Sequence, residues 1–469
     1  PPRRLPPAAP PSRGAPGPGA PGRAGPAALV AAVVSTHASA VEPASSLREV
    51  LRARFGTRMR AEFVGVLHPD PQAACTALPD DSTCTDGSPE ARSAFLDLAD
   101  MQQDTFQEAG FTSRLLDSLS RVHNRHIAPR ADVILCGHPF LLCVLLRMLS
   151  GLFMLAYLTE VPLAFVPQES RVWVLGQLRT LALHGGTRLL AASRLYALQA
   201  WHQAGASLEV ARPSALHVGR RFRWRGPGAA GPAPGGRGEA VVWGLPGVSS
   251  DFAIMCLRFL RHARTRGPSW LDGSVRFAFK DLMQGQVPWG SLETVRCVAL
   301  LPWDLQLTLF SELYALGAPL ALPTAELAAS YGAQVLLARG GPFWAVNPRF
   351  AGALPGVRAR GLAVEPWVRG GGADAAPGAR PGAAFAQFAY WYRASDFESF
   401  GHTLRFASVP DLLRLAAARP LEELAAASVS MRREWLSACQ RTEASFALAA
   451  EGLLRTLGPS AVVGGDGDA

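Results

Sequence analysis

The chain has 469 residues, enough for two ordinary domains, and 49% of them are apolar, enough for a large core. Its net charge of +9 is spread over a chain in which only 18% of residues are charged. No dense basic stripe interleaved with aromatics is present, so the composition speaks against a nucleic-acid-binding protein while remaining compatible with anionic ligands such as nucleotide diphosphates.

Residues 1–28 are rich in Pro, Gly, Ala and Arg and cannot bury enough apolar surface to order themselves. The chain does not begin with Met, so an upstream piece is expected to be missing. Arg23, the run AALVAAVV and Ala38-Ser39-Ala40 together mimic a signal peptide. The preferred reading of that run is a first strand, Leu29–Val34. It is followed by a loop at Ser35-Thr36-His37, a helix over Ser45–Phe55 and a second strand over Glu62–Leu67, which is a βαβ rhythm. Cys75 and Cys84 lie in a polar loop, where a disulfide would imply a secretory lumen and two thiols would not. The compartment stays open between the cytoplasm and the lumen of the Golgi or endomembranes.

Ala131–Cys136 reads as a strand ending in Gly137-His138-Pro139, and Phe140–Met148 as an apolar helix. Cys136 and Cys143 sit in apolar runs and read as core. Phe153–Tyr157 and Leu163–Val166 read as short buried strands, or as a strand with an irregular lead-in. Phe140–Leu158 has the apolarity of a membrane span, but Arg147 in mid-run and Gly151 argue against one. Arg188–Ala192 is a further strand, ending at Ser193-Arg194. A helix then runs to Gln203, Gly205 closes it, and Leu208–Ala211 is extended. The stretch 226–238, GPGAAGPAPGGRG, reads as the interdomain linker or a long insert beside it.

The second half opens with a strand over Glu239–Trp243 and a helix over Phe252–His262. Val275–Phe279, Cys297–Leu301, Leu320–Leu322 and Val335–Ala338 supply more parallel strands. Residues 370–382 form a Gly/Ala/Pro insert. Thr403–Phe406 is the last strand, Ser408-Val409-Pro410-Asp411 caps a helix, and Leu421–Leu457 is helical. The cluster YWYRASDFESFGH, from Tyr390, reads as a hydrophobic plug that docks the C-terminal segment, with an aromatic sugar platform as the alternative. Of the 46 basic residues 45 are Arg, and the one Lys is Lys280, directly after the Val275–Phe279 strand.

The most informative stretch is Leu301–Pro323, LPWDLQLTLFSELYALGAPLALP. Asp304 is followed eight positions later by Glu312, then by Gly317 and Pro319 before a second apolar run. A helix starting at a strand's C-terminal end points free N–H groups and a positive dipole at whatever lies there, which suits a diphosphate. On this reading Asp304 stands at the strand end, and Glu312 lies about two turns on, on the same helix face.

This segment resembles the donor site of two-Rossmann-domain (GT-B type) glycosyltransferases, which reads E-x7-E and then G-x-P; here the first acid is Asp. The segments around Leu301–Pro323 and Tyr390–Ser408 are also similar to uncharacterised glycosyltransferase-like proteins of protists and algae. The resemblance implies an α/β fold of two Rossmann-like domains facing each other across a cleft. It places the N-terminal, acceptor-side domain at 29–225 and the donor-binding domain at 239–412, with a helical tail at 413–469. It implies transfer of a sugar from a UDP- or GDP-sugar to an unknown acceptor, with retention of configuration. Asp304, His138 and His37 are the catalytic candidates. Lys280, Thr308, Glu312, Ser193 and Arg194 are the donor-binding candidates. No metal or other cofactor is implied, and a peripheral membrane contact is left open. A non-enzymatic binding or scaffolding protein of the same fold, or a sugar-nucleotide epimerase, are the alternatives.

Overall fold

The computed structural model describes residues 28–35, 41–64, 85–86, 108, 110–227, 238–244, 255, 258–259, 261–262, 275–281, 289–302, 304–339, 352–357 and 381–458. The expectations for residues 1–27, His37, Cys75, Cys84 and most of the linker, of the helix over 252–262 and of the insert over 370–382 lie outside them.

In chain order the elements begin with β1 (Leu29–Val34), α1 (Val41–Phe55), β2 (Met59–Phe63), β3 (Thr85–Asp86) and α2 (Phe111–Val122). Next come β4 (Val133–Cys136), α3 (Phe140–Leu149), β5 (Phe153–Leu158), α4 (Arg171–Leu183), β6 (Thr187–Ala191), α5 (Arg194–Ala204), β7 (Glu209–Val210) and α6 (Leu216–Gly219). The second half holds β8 (Gly238–Gly244), β9 (Val275–Asp281), α7 (Trp289–Leu292), β10 (Cys297–Leu300), α8 (Thr308–Leu316), β11 (Leu320–Pro323) and α9 (Ala325–Arg339). It closes with α10 (Pro381–Ala394), α11 (Asp396–Ser399), β12 (Leu404–Phe406), α12 (Val409–Ala418) and α13 (Leu421–Leu457).

The strands form two separate sheets. The first has the order β3-β2-β1-β4-β5-β6-β7, with β1 parallel to both β2 and β4. Strands β4 and β5 are buried along their whole length, which is why they read as unbroken apolar runs instead of alternating ones. The second sheet has the order β12-β11-β10-β8-β9, also parallel. The first is the 3-2-1-4-5-6 order of a Rossmann sheet with one more strand. The second, numbered from β8, is the 2-1-3-4-5 order of the other common doubly wound sheet. The α/β class with two Rossmann-like sheets is therefore present as expected. Each sheet has a switch point where the strand order reverses, between β1 and β4 in the first and between β8 and β10 in the second.

Contacts divide the chain into two compact units. Residues up to Ala191, 203–209 and those from Glu443 onward form the first; 192–202 and 210–442 form the second. This departs from the boundary expected at 225 and from a separate tail at 413–469. Residues 210–225 join the second unit through hydrogen bonds. The Trp224 indole N–H donates to Val295 O at 2.7 Å, and Arg225 N donates to Glu293 O at 2.7 Å. Residues from Glu443 on join the first unit through Arg54, which donates to Glu443 Oε1 at 3.0 Å, and through Phe446, whose ring lies 6.3 Å from that of Tyr157.

Two expected strands are not strands. Leu163–Val166 forms tight turns, with Ala164 N bonded to Val161 O and Val166 N to Leu163 O, and Phe165 has φ 54. Val335–Ala338 is the end of helix α9. That helix is started by Thr324, whose Oγ1 accepts from Leu327 N at 3.3 Å, and its sequence is rich in Ala. Apolar runs of four residues have no period long enough to separate strand from helix. Helix α3 is buried from Phe140 to Leu146. Its one charge, Arg147, donates to Leu152 O at 2.9 Å. Among the described residues no helix is long and apolar enough to cross a membrane. The cysteines read as core, Cys136 and Cys143, are both buried and are bonded to each other as a disulfide.

Candidate functional site

In the second unit, β10 is fully buried and leads through a short loop into α8. The loop is pinned rather than helical. Leu305 and Leu307 are buried, Leu307 is extended with φ −131, and Gln306 Nε2 donates to Asp396 Oδ2 at 3.0 Å. Asp304 therefore lies in the loop, its Oδ1 accepting from Leu305 N at 2.7 Å. The expectation that Asp304 and Glu312 share a helix face is corrected: the helix starts at Thr308. It is Thr308 and Glu312, one turn apart, that share the open stripe of α8, while Leu309, Phe310, Ser311 and Leu313 to Leu316 are buried.

The N-cap residue of α8, Leu307, supplies no side-chain cap, Phe310 N is bonded to Leu307 O at 3.1 Å, and the start of the helix lies at the C-terminal edge of the sheet beside the β8/β10 switch point, where ligands of such sheets bind. At the other end Gly317 takes φ 76 and donates to Leu313 O and Tyr314 O, and Pro319 precedes β11. Glu312 has a partner the sequence did not reveal. His217 Nε2 stands 3.0 Å from Glu312 Oε1, with both side chains about a quarter exposed. Lys280 lies inside β9 rather than after it, one residue from its end and in register with Trp243 of β8.

Ser193 and Arg194 belong by contact to this unit. Ser193 is buried, and its Oγ accepts from Tyr196 N at 3.3 Å, which starts α5. That is a structural task for a residue proposed as a donor ligand. Arg194 is exposed at the first position of the same helix. The aromatic cluster takes the plug reading. Trp391, Tyr392 and Phe397 are wholly buried. Phe310 of α8 meets Phe397 and Phe400 edge-on at 5.2 and 5.7 Å. The Tyr314 hydroxyl donates to Glu434 Oε2 of α13 at 2.6 Å.

In the first unit, the ends of three adjacent strands converge on one histidine. Ser35, directly after β1, uses Oγ to accept from His138 N at 3.1 Å and to donate to His138 O at 3.3 Å. His138 follows β4, and its Nε2 lies 2.6 Å from Glu160 Oε2, just past β5. The Phe165 ring meets the imidazole edge-on at 5.6 Å. Burial pushes the Glu160 carboxyl pKa up, and His138 pulls it back only in part. The second oxygen, Oε1, is buried with no hydrogen-bond partner among the described residues. Glu160 was missed in the sequence because a lone acid after an apolar run carries no spacing signal. A His–carboxylate pair of this kind can hold and pass a proton. Among the described residues no group of His, Cys, Asp and Glu could hold a metal ion.

No family model matches this sequence, and no curated protein does. Solved structures do. A UDP-glucosyltransferase from Polygonum tinctorium that glucosylates indoxyl matches 92% of this chain over its whole length, at 9% identity and a TM-score of 0.45. The glycotransferase of kitacinnamycin matches 90% over its whole length, at 14% identity and a TM-score of 0.42. The glycosyltransferase SnogD from Streptomyces nogalater also matches 90% over its whole length, at 14% identity and a TM-score of 0.39.

Proposed function

We propose that the chain is a glycosyltransferase that takes a sugar from a UDP- or GDP-sugar, with the donor held by the second unit. The observation that carries this reading is the uncapped N-terminus of α8 at the C-terminal end of β10, with Thr308 and Glu312 on its open stripe and Asp304 in the loop before it. The first-turn N–H groups and the Thr308 hydroxyl suit the diphosphate oxygens. Glu312 suits the two ribose hydroxyls, Asp304 the hydroxyls of the sugar, and Lys280 adds a compact positive charge for the diphosphate. Stabilisation of the departing diphosphate is electrostatic and needs no metal in this reading.

The resemblance to E-x7-E enzymes supports retention at the anomeric carbon. A second reading, inversion, is favoured by the His138–Glu160 contact at 2.6 Å. In it His138 would serve as the general base for an acceptor hydroxyl.

The test is calorimetry with UDP and GDP on the parent and on Glu312→Ala, followed by incubation with UDP- and GDP-hexoses. Glu312→Ala is expected to weaken the nucleotide by roughly 1–3 kcal/mol, the value of hydrogen bonds to a charged partner. Equal affinity in both proteins removes Glu312 from the site. Tight nucleotide binding with no sugar released or transferred identifies a non-enzymatic binding protein. The anomer of any product, read by NMR, decides between retention and inversion.

A further inference from the structure

His217 lies in a stretch, ARPSALHVGR, whose spacing points to no chemistry. The fold places it with care. Ala215 adopts φ 47 and starts the single turn of α6, with Val218 N and Gly219 N both bonded to Ala215 O. Helix α13 then fixes that turn from behind. The Trp435 indole N–H donates to Ser214 O at 2.7 Å. Arg432 Nη1 donates to Gly219 O at 2.9 Å and also to Ala315 O in the last turn of α8. The Arg432 guanidinium lies 4.7 Å from the centre of the Trp435 ring. Gly219 makes the approach possible, because a Cβ there would stand 2.4 Å from the Trp435 ring. One arginine thus ties α6 to α8, and the outcome is the 3.0 Å contact between His217 Nε2 and Glu312 Oε1.

We propose that His217 is a positioning residue for the ribose end of the nucleotide: its Nε2–H fixes the plane of the Glu312 carboxylate so that two ribose hydroxyls are accepted together. This rests on the donor reading of Glu312. A carboxylate only accepts, so the imidazole is the donor and Nε2 carries the proton. One hydrogen bond to Oε1 leaves Oε2, and a remaining lone pair on Oε1, for the ligand. A glutamate otherwise free to rotate loses that freedom when it binds, and a carboxylate already held does not. The chemical consequence is selectivity at the 2′ position, since both hydroxyls are gripped only when the carboxylate plane is fixed.

The experiment is calorimetry on the full chain with two pairs of probes, UDP against 2′-deoxy-UDP and GDP against 2′-deoxy-GDP. Parent, His217→Ala, His217→Gln, Glu312→Ala and the double variant His217→Ala/Glu312→Ala are compared. The parent is expected to prefer the ribonucleotide by about tenfold, one hydrogen bond to a charged group. His217→Ala should bring that preference close to one. His217→Gln, whose amide nitrogen sits where Nε2 was, should restore it to within about twofold. In the Glu312→Ala background, His217→Ala should change neither affinity nor preference, because its effect passes through the carboxylate. A full preference in His217→Ala, with none in Glu312→Ala, overturns this proposal and leaves the donor reading standing. A loss in His217→Gln as large as in His217→Ala, at unchanged melting temperature, also overturns it. If the parent binds none of the four probes, the donor reading fails and takes this proposal with it. If His217→Ala unfolds, His217→Gln and the double variant decide by the same comparisons.

Discussion

Arg212 and Asp396 lie 184 residues apart and form an ion pair, Nε donating to Oδ1 at 2.9 Å, with the Asp396 side chain 1% exposed. The same carboxylate accepts from Gln306 Nε2 at 3.0 Å and from Ser399 Oγ at 3.2 Å. Asp396 thereby holds the β10–α8 loop and the plug together. Asp396→Asn removes the charge and turns one acceptor into a donor facing other donors. Breaking a buried pair on one side costs roughly 3–5 kcal/mol, and the partial exposure of Arg212 points to the lower end. Urea denaturation checks this, and a loss under about 1 kcal/mol would show that the network adds nothing to stability.

Glu160 gives a pH signature. Burial raises its carboxyl pKa in the folded protein, so the folded state binds this proton more tightly than the unfolded chain. The stability from that group is complete below the unfolded pKa, near 4.5, and is lost as pH rises through the higher folded value. Glu160→Gln cannot ionise, and its amide oxygen still accepts from His138. Its stability relative to the parent should therefore climb as pH rises above about 4.5. Denaturation curves of both proteins at acidic, neutral and mildly basic pH provide the comparison, and a constant gap would contradict the burial argument.

Asp304→Asn keeps an oxygen for Leu305 N and so keeps the loop. It should lower sugar transfer or hydrolysis at least tenfold while leaving nucleotide affinity within about twofold, because this acid is assigned to the sugar. Unchanged turnover would remove Asp304 from the chemistry.

Lys280 stands alone against 45 Arg, next to the end of the edge strand β9. Lys280→Ala should weaken UDP or GDP binding, and Lys280→Arg should fail to restore it, since a planar guanidinium does not replace a compact ammonium. If both variants bind like the parent, the lone Lys has no part in donor binding.

What the sequence made legible was local. Strand β1 and helix α13 run over the residues expected, because an unbroken apolar run, the preceding Pro420 and 37 residues of helical pattern are written in consecutive positions. The segment from Val298 to Pro319 was legible as strand, helix and turn for the same reason. Its geometry was not, since the helix start was decided by Gln306 reaching Asp396, 90 residues away. His217 and Glu312 are 95 residues apart, and His138 meets Glu160 only because β4 and β5 are neighbours in the sheet. Pairs made by topology leave no spacing to read.

The first unit also has a consequence for how the molecule comes into being. Its sheet begins at Leu29, yet Phe446 packs on Tyr157 and Gly452 backs onto Phe153. A ribosome working at 5–20 residues per second therefore spends on the order of ten seconds or more, after β6 has emerged, making the second unit before it produces the helix end that covers the first. During that interval the oldest apolar strands wait for the youngest residues. Of these two units, the one made earlier is completed later.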